Sequence, residues 1–264
     1  MVRSLWRMRP LVAVRRAAAY DRRFLTSSAL LWPLARAATA IGGFDDFPPI
    51  DALSRVFEGE PCVRFVEAPP RRRRGAPVEA RSLYDARIAL DGEVPTRAHC
   101  WHDLMNALVW GTFPRAKCAL HARQHRCITR RIAPGARKLP PARTPELDAL
   151  ALLDEGGVVL VSLGRGGALE SEASDTIVFG HAIYESLVLG VAPAVVAAIG
   201  IDVPPSRYPT ALDLVRAVDR SLADVIDDDA MLRTPRDLRR VRIPSDATAA
   251  AGTSTSARTG EDIA

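Results

Sequence analysis

Lysine is nearly missing from this 264-residue chain: Lys117 and Lys138 are its only two, against 34 arginines. With its many alanines, that skew reads as the coding bias of a GC-rich bacterial genome, so the net charge of +5 is discounted as a sign of nucleic-acid contact. No recognition-helix, RNA-recognition or zinc-finger pattern accompanies the arginines, and nucleic acid is not the expected partner. Cysteine is scarce too. The four, at 62, 100, 118 and 127, form no Cys-x-x-Cys pair, which excludes a disulfide scaffold and suits reduced thiols in a cytoplasm. Long apolar runs are also absent. The longest, Leu187 to Ile201, has 15 residues broken by Gly190 and Pro193, short of the roughly 20 a membrane span needs, and reads as a buried helix pair. Nucleophile and nucleotide signatures are missing as well. There is no Gly-x-Ser-x-Gly elbow, and Gly164-Arg165-Gly166-Gly167 lacks the Lys-Ser/Thr of a P-loop and carries Leu169 where a dinucleotide fingerprint needs a small residue. No internal repeat is visible.

What is present is an ordinary globular balance, 48% hydrophobic and 25% charged, enough for a real core. Charge divides unevenly: residues 1–143 carry +14 and residues 144–264 carry −9, so the halves attract. Residues 1–43 read as a basic helical segment. Phe24 to Ala35 is uncharged and Ala38-Thr39-Ala40 resembles a cleavage site, the outline of a signal peptide. Trp32 and Pro33 make it a poor apolar core, so cytoplasmic placement is expected, with export as the alternative. Residues 44–232 read as a single domain and 233–264 as a disordered tail. The run Arg71 to Arg74, among prolines, reads as a solvated loop.

Strands are expected at 62–66 and 84–90, where apolar and charged residues alternate, the second ending at Asp91-Gly92. The apolar runs 147–153 and 158–163 flank Asp154-Glu155-Gly156-Gly157 and read as a β-hairpin. Helices are expected over 101–113, 114–125, 174–190 and 210–226. The fold class that follows is α+β, mainly helical, with a small antiparallel sheet.

Chemistry concentrates in residues 100–115. Wound at about 100° per residue, Trp101, Leu104, Met105, Leu108 and Thr112 share a core face, while His102, Asp103, Asn106, Trp110 and Phe113 gather opposite. Such a face meets protein or ligand. His181 and Glu185, four apart on the 174–190 helix, are neighbours that supply a partner group. Two histidines with carboxylates could hold one divalent metal with an open water position, or act as general base and acid without one; no cofactor is identified and no metal ligand is assigned. Cys118, His121, His125 and Cys127 have the side chains of a zinc site, but on one helix Cys127 points about 180° from Cys118. That set is read as structural.

Trp101 to Trp110 with Phe113-Pro114-Arg115-Ala116-Lys117, Asp154-Glu155-Gly156-Gly157 and Phe179-Gly180-His181-Ala182-Ile183-Tyr184-Glu185 together resemble a bacterial family, domain of unknown function number 3025. The resemblance covers about residues 44–205 and departs at Cys100, where a small polar residue such as Asn is expected. It implies a bacterial cytosolic protein with no assigned activity, and places His102 and His181 in signature segments.

The expected function is a pocket between helices 101–113 and 174–189 that binds a small polar or anionic ligand, with hydrolysis the first reaction class if it is catalytic. His102, Asp103, His181 and Glu185 are its candidate catalytic residues, and Asn106, Trp110, Arg115 and Tyr184 its candidate ligand contacts; Arg115 would neutralise an anionic substrate. The alternative is a non-catalytic interaction protein in which the polar cluster locks two helices and Trp110 and Phe113 face a protein partner. The residues alone do not decide between enzyme and binding module.

Overall fold

A computed structural model describes residues 19–70, 83–132, 143–163, 175–191, 195–204 and 208–243. The arginine loop at 71–74, the glycine loop at 164–167, the stretch after 243 and residues 1–18 of the basic N-terminal segment lie outside the described residues. The fold is mixed α+β and mainly helical.

Two 3-10 segments, Phe24–Ser27 and Ala29–Leu34, lead into helix α1 (Ala35–Ala40). They are not surface appendages, because Phe24, Leu31, Leu34, Ala37 and Ile41 are buried in the main core. Strand β1 (Arg64–Glu67), helix α2 (Tyr84–Asp91) and strand β2 (Glu93–Thr96) follow, with β1 and β2 paired in parallel. Then come α3 (Trp101–Thr112), α4 (Pro114–Thr129), α5 (Pro145–Gly156), β3 (Gly157–Leu163), β4 (Asp175–Val178), α6 (His181–Val188), β5 (Val195–Val203), α7 (Ala211–Asp227) and β6 (Arg239–Arg242). The second sheet has the order β4-β3-β5-β6, parallel between β3 and β5 and antiparallel at both edges.

Several expected strands are helices instead. Residues 84–90 form α2, and Gly92, at φ 62°, is its left-handed C-cap rather than a hairpin turn. Residues 147–153 lie in α5, so the expected hairpin does not exist. The local chemistry explains why: Leu147 to Leu153 is a run of Leu, Ala and Asp without a β-branched residue, Pro145 sits at the first helical position, and the Thr144 side chain accepts from Leu147 N at 3.1 Å. Asp154 and Glu155 are the end of that helix. Conversely, 195–203 of the expected helix pair is β5, where Val195, Val196, Ile199, Ile201 and Val203 favour a strand. The expected helix over 174–190 divides into β4 and the shorter α6. The sheet is therefore mixed, not antiparallel. Past residue 233 the chain forms a 3-10 turn and β6 rather than remaining disordered through 243.

Amphipathic α7 buries Val215, Val218, Leu222 and Ile226 at helical spacing and packs along α4. Asp219 on α7 accepts from Arg115 N and Ala116 N at 3.2 and 2.9 Å, satisfying donors left free at the start of α4. Helix α3 packs against α6, which fixes the site described next.

Candidate functional site

Three helices meet at one polar cluster. His102 is on the first turn of α3, His181 is the first residue of α6, and Glu155 is on the last turn of α5. Close backbone contact holds the last two together: Phe179 N and Gly180 N both donate to Gly157 O, at 3.0 and 2.8 Å. A side chain at Gly180 would put its Cβ 2.5 Å from Gly157 N and 2.6 Å from Glu155 O, so only glycine fits.

His102 Nε2 and His181 Nε2 are 3.0 Å apart. Glu155 Oε2 lies 3.6 Å from His181 Nε2 and 4.0 Å from His102 Nε2. Each imidazole turns its other nitrogen toward a carboxylate, with His102 Nδ1 3.0 Å from Glu185 Oε2 and His181 Nδ1 3.7 Å from Asp154 Oδ1. Burial works against charge on His102, but Glu185, reinforced by Glu155 and Asp103, raises its pKa above the ordinary imidazole value. The cluster faces a cleft of about 320 Å³ whose lining includes Tyr84, Arg97, Asp103, Asn106 and Glu155.

Behind the histidines, Lys117 is fully buried and its ammonium donates to Asp154 Oδ1. Burial opposes charge on Asp154, yet Lys117, with His181 beside it, holds the carboxyl well below the usual carboxylate range. Lys117 Nζ also lies 5.4 Å from the centre of the Trp110 ring.

The structure brings together His102, His181, Glu185 and Asn106 from the sequence reading, and separates the rest by role. Asp103 does not offer a free carboxylate. It accepts from Arg97 N, Nε and Nη2 at 2.6, 2.9 and 2.7 Å, which anchors Arg97 at the cleft. Glu185 is buried behind His102 and positions it. Asn106 lines the cleft and donates through Nδ2 to Tyr84 OH at 3.2 Å.

Trp110, Tyr184 and Arg115 do not line the cleft. Trp110 is fully buried, stacked on His121 with centroids 5.4 Å apart; Tyr184 is also fully buried and its hydroxyl donates to Val178 O at 2.6 Å. Arg115 lies at the other end of α3, on a different cleft with Asp219 and Arg216. Trp110 shares the helical face of His102, Asp103 and Asn106, but a face of a helix is not one environment along its length. Glu155, Asp154, Lys117, Arg97 and Tyr84 escaped the sequence reading. Reading Asp154-Glu155 as a hairpin turn hid two carboxylates that a helix end directs at His181.

His121 makes no metal set with the neighbouring cysteines. Among the described residues, only His102, Glu155 and His181 bring three potential ligand atoms together. Buried His121 instead has Nδ1 3.2 Å from Asp85 Oδ1. Desolvation, helped by Lys117 and opposed by Asp85, lowers its pKa below the ordinary imidazole value. The unfolded chain therefore takes up a proton near pH 6.5 that the folded chain resists, so this contribution to stability is complete above about pH 6.5 and is lost as pH falls through the depressed folded value. We expect the thermal midpoint of the wild type to drop more steeply between pH 6.5 and 5 than that of His121→Leu. Parallel melting curves across that range would show that His121 contributes no such dependence.

Residues 72–171 match DUF3025, a protein family of unknown function. The DUF3025 span includes His102, Asp103, Asn106, Trp110, Arg115, Asp154 and Glu155, but ends before His181, Tyr184 and Glu185. It is thus narrower than the 44–205 of the resemblance, and His181 and the carboxylate facing its Nδ1, Asp154, fall on opposite sides of its limit. No curated protein and no solved structure matches the chain.

Proposed function

We propose that the cleft is a hydrolytic site for a small, polar, anionic ligand, with the attacking water held by His102, His181 and Glu155. The carrying observation is the convergence of two imidazole nitrogens and a carboxylate oxygen within 4.0 Å of one another, on a cleft that also holds Arg97 and Asn106. Groups so placed can take a proton from a water molecule while its oxygen attacks. Arg97, rather than Arg115, is the cation available to an anionic ligand, and Glu185 positions His102 from behind.

The burial of Trp110 and Phe113, the two residues that the interaction-module alternative gave to a protein partner, favours the cleft reading. Among the described residues no helix is long and apolar enough to cross a membrane.

A panel of chromogenic carboxylic and phosphoric esters tests this reading. The wild type is expected to turn over at least one of them, with kcat/KM lower by about 10²–10⁴-fold in His102→Gln and unchanged in Arg115→Ala. Circular dichroism would establish that both variants are folded. Equal turnover by folded His102→Gln, or no turnover of any ester by the wild type, would refute it.

A further inference from the structure

While both rings are neutral, hydrogen positions at the two histidines pose a problem that the protein groups do not solve by themselves. His102 Nδ1 faces buried Glu185 and His181 Nδ1 faces Asp154, so each Nδ1 is best placed to carry its ring's hydrogen toward a carboxylate. Both Nε2 lone pairs then point at each other across 3.0 Å, with the Glu155 carboxylate alongside. Three acceptors would converge on one point. Moving the hydrogen of His181 to Nε2 relieves that contact but aims the Nδ1 lone pair at Asp154, and this buried nitrogen has no hydrogen-bond partner among the described residues. A cation at the convergence point satisfies every group at once.

The distances fit a metal ion. A point in the plane of His102 Nε2, His181 Nε2 and Glu155 Oε2 lies about 2.1 Å from all three, the bond length zinc makes to imidazole and carboxylate. Carboxylates behind the two imidazoles are the usual outer partners of metal-bound histidine, where they fix the ring and strengthen the ligand. Side-chain exposure of 53% at Glu155 against 5% at His181 leaves the open side toward the cleft.

We propose that His102, His181 and Glu155 bind one divalent transition-metal ion, with zinc the best fit, leaving a position open for water. Two imidazoles in a set of three ligands favour such an ion over magnesium or calcium. Glu185 and Asp154 are positioning residues for the two rings. This rests on the hydrolytic reading only for the use of the ion, which would supply the activated water there; the binding itself does not depend on it.

Chelator-treated full-length protein is titrated calorimetrically with zinc chloride and with magnesium chloride. One zinc per chain is expected, with magnesium binding at least 10-fold more weakly. Glu185→Gln should weaken zinc by about 10–100-fold, and His102→Ala/His181→Ala should abolish the site while circular dichroism stays unchanged. Cobalt substituted for zinc should give visible d–d absorption that the double variant lacks. A folded wild type that takes up no zinc, or a double variant that binds it equally well, would overturn the assignment. One zinc bound without hydrolysis of any ester would keep the ion and end the hydrolytic reading. Full-rate hydrolysis by the metal-free chain would keep the hydrolytic reading and end the ion's part in it.

Discussion

Asp154→Ala should lower the unfolding free energy by about 3–5 kcal/mol, because it leaves the Lys117 ammonium buried without its anion. Lys117 has no exposed surface, and Asp154 is its hydrogen-bonding carboxylate. The Trp110 ring face offers some compensation, but a cation–π contact of this kind supplies only about 0.5–2 kcal/mol. Much of the cost is therefore that of one unpaired charge rather than the worth of the pair. Adding Lys117→Met should recover most of the loss, since an apolar side chain of similar length fills the space without needing a partner. Urea unfolding of the two variants measures both effects. A loss below about 1 kcal/mol in the single variant would mean that Lys117 reaches water or discharges on its own.

The second large effect is expected at Arg123, which is 1% exposed and lies on α4. Its Nε donates to Glu146 Oε1 at 2.8 Å, Nη1 to Ile226 O and Asp228 O at 2.8 and 3.0 Å, and Nη2 to Met231 O at 2.8 Å. One planar guanidinium thus joins α4, α5 and the C-terminal end of α7, where carbonyls have no partner within their own helix. Arg123→Met should cost about 3–5 kcal/mol, because each buried acceptor left unpaired carries a penalty of about 1–3 kcal/mol, reduced where water can reach it. Arg123→Lys should recover only part, since an ammonium cannot reproduce the fork. Chemical denaturation checks this, and an Arg123→Lys protein as stable as the wild type would show that charge alone suffices.

Neither interaction was legible in the sequence. Arg123 is one of 34 arginines and Lys117 one of two lysines, and neither sits in a pattern that marks it as buried. What the sequence did carry was periodicity. The α3 core face, the placing of His181 and Glu185 one turn apart on one helix, and β1 and β3 all follow from spacing that a single element imposes on its own residues, although Glu185 faces His102 rather than His181. Residues 84–90 alternate and 147–153 form an apolar run beside Asp154-Glu155-Gly156-Gly157, but helix propensity and, for the second, the Thr144-Pro145 helix start outweigh those patterns. Contacts between elements were harder. Nothing in the spacing of residues 102, 155 and 181 announces that their side chains converge, because that depends on how α5 abuts α6.

That abutment has a consequence for altering the cleft. Glu155 and His181 come from helix ends joined through main-chain atoms, with a hydrogen atom as the only substituent tolerated at Gly180. Their separation is consequently a property of the scaffold, whereas His102 reaches them from α3, whose own glycine junction, Gly111 against Val56, lies at its far end. Libraries that vary the cleft can exchange the α3 residues that line it one at a time, but position 180 has to be left out of them: any side chain there would pry Glu155 and His181 apart before a single reactive group had been changed.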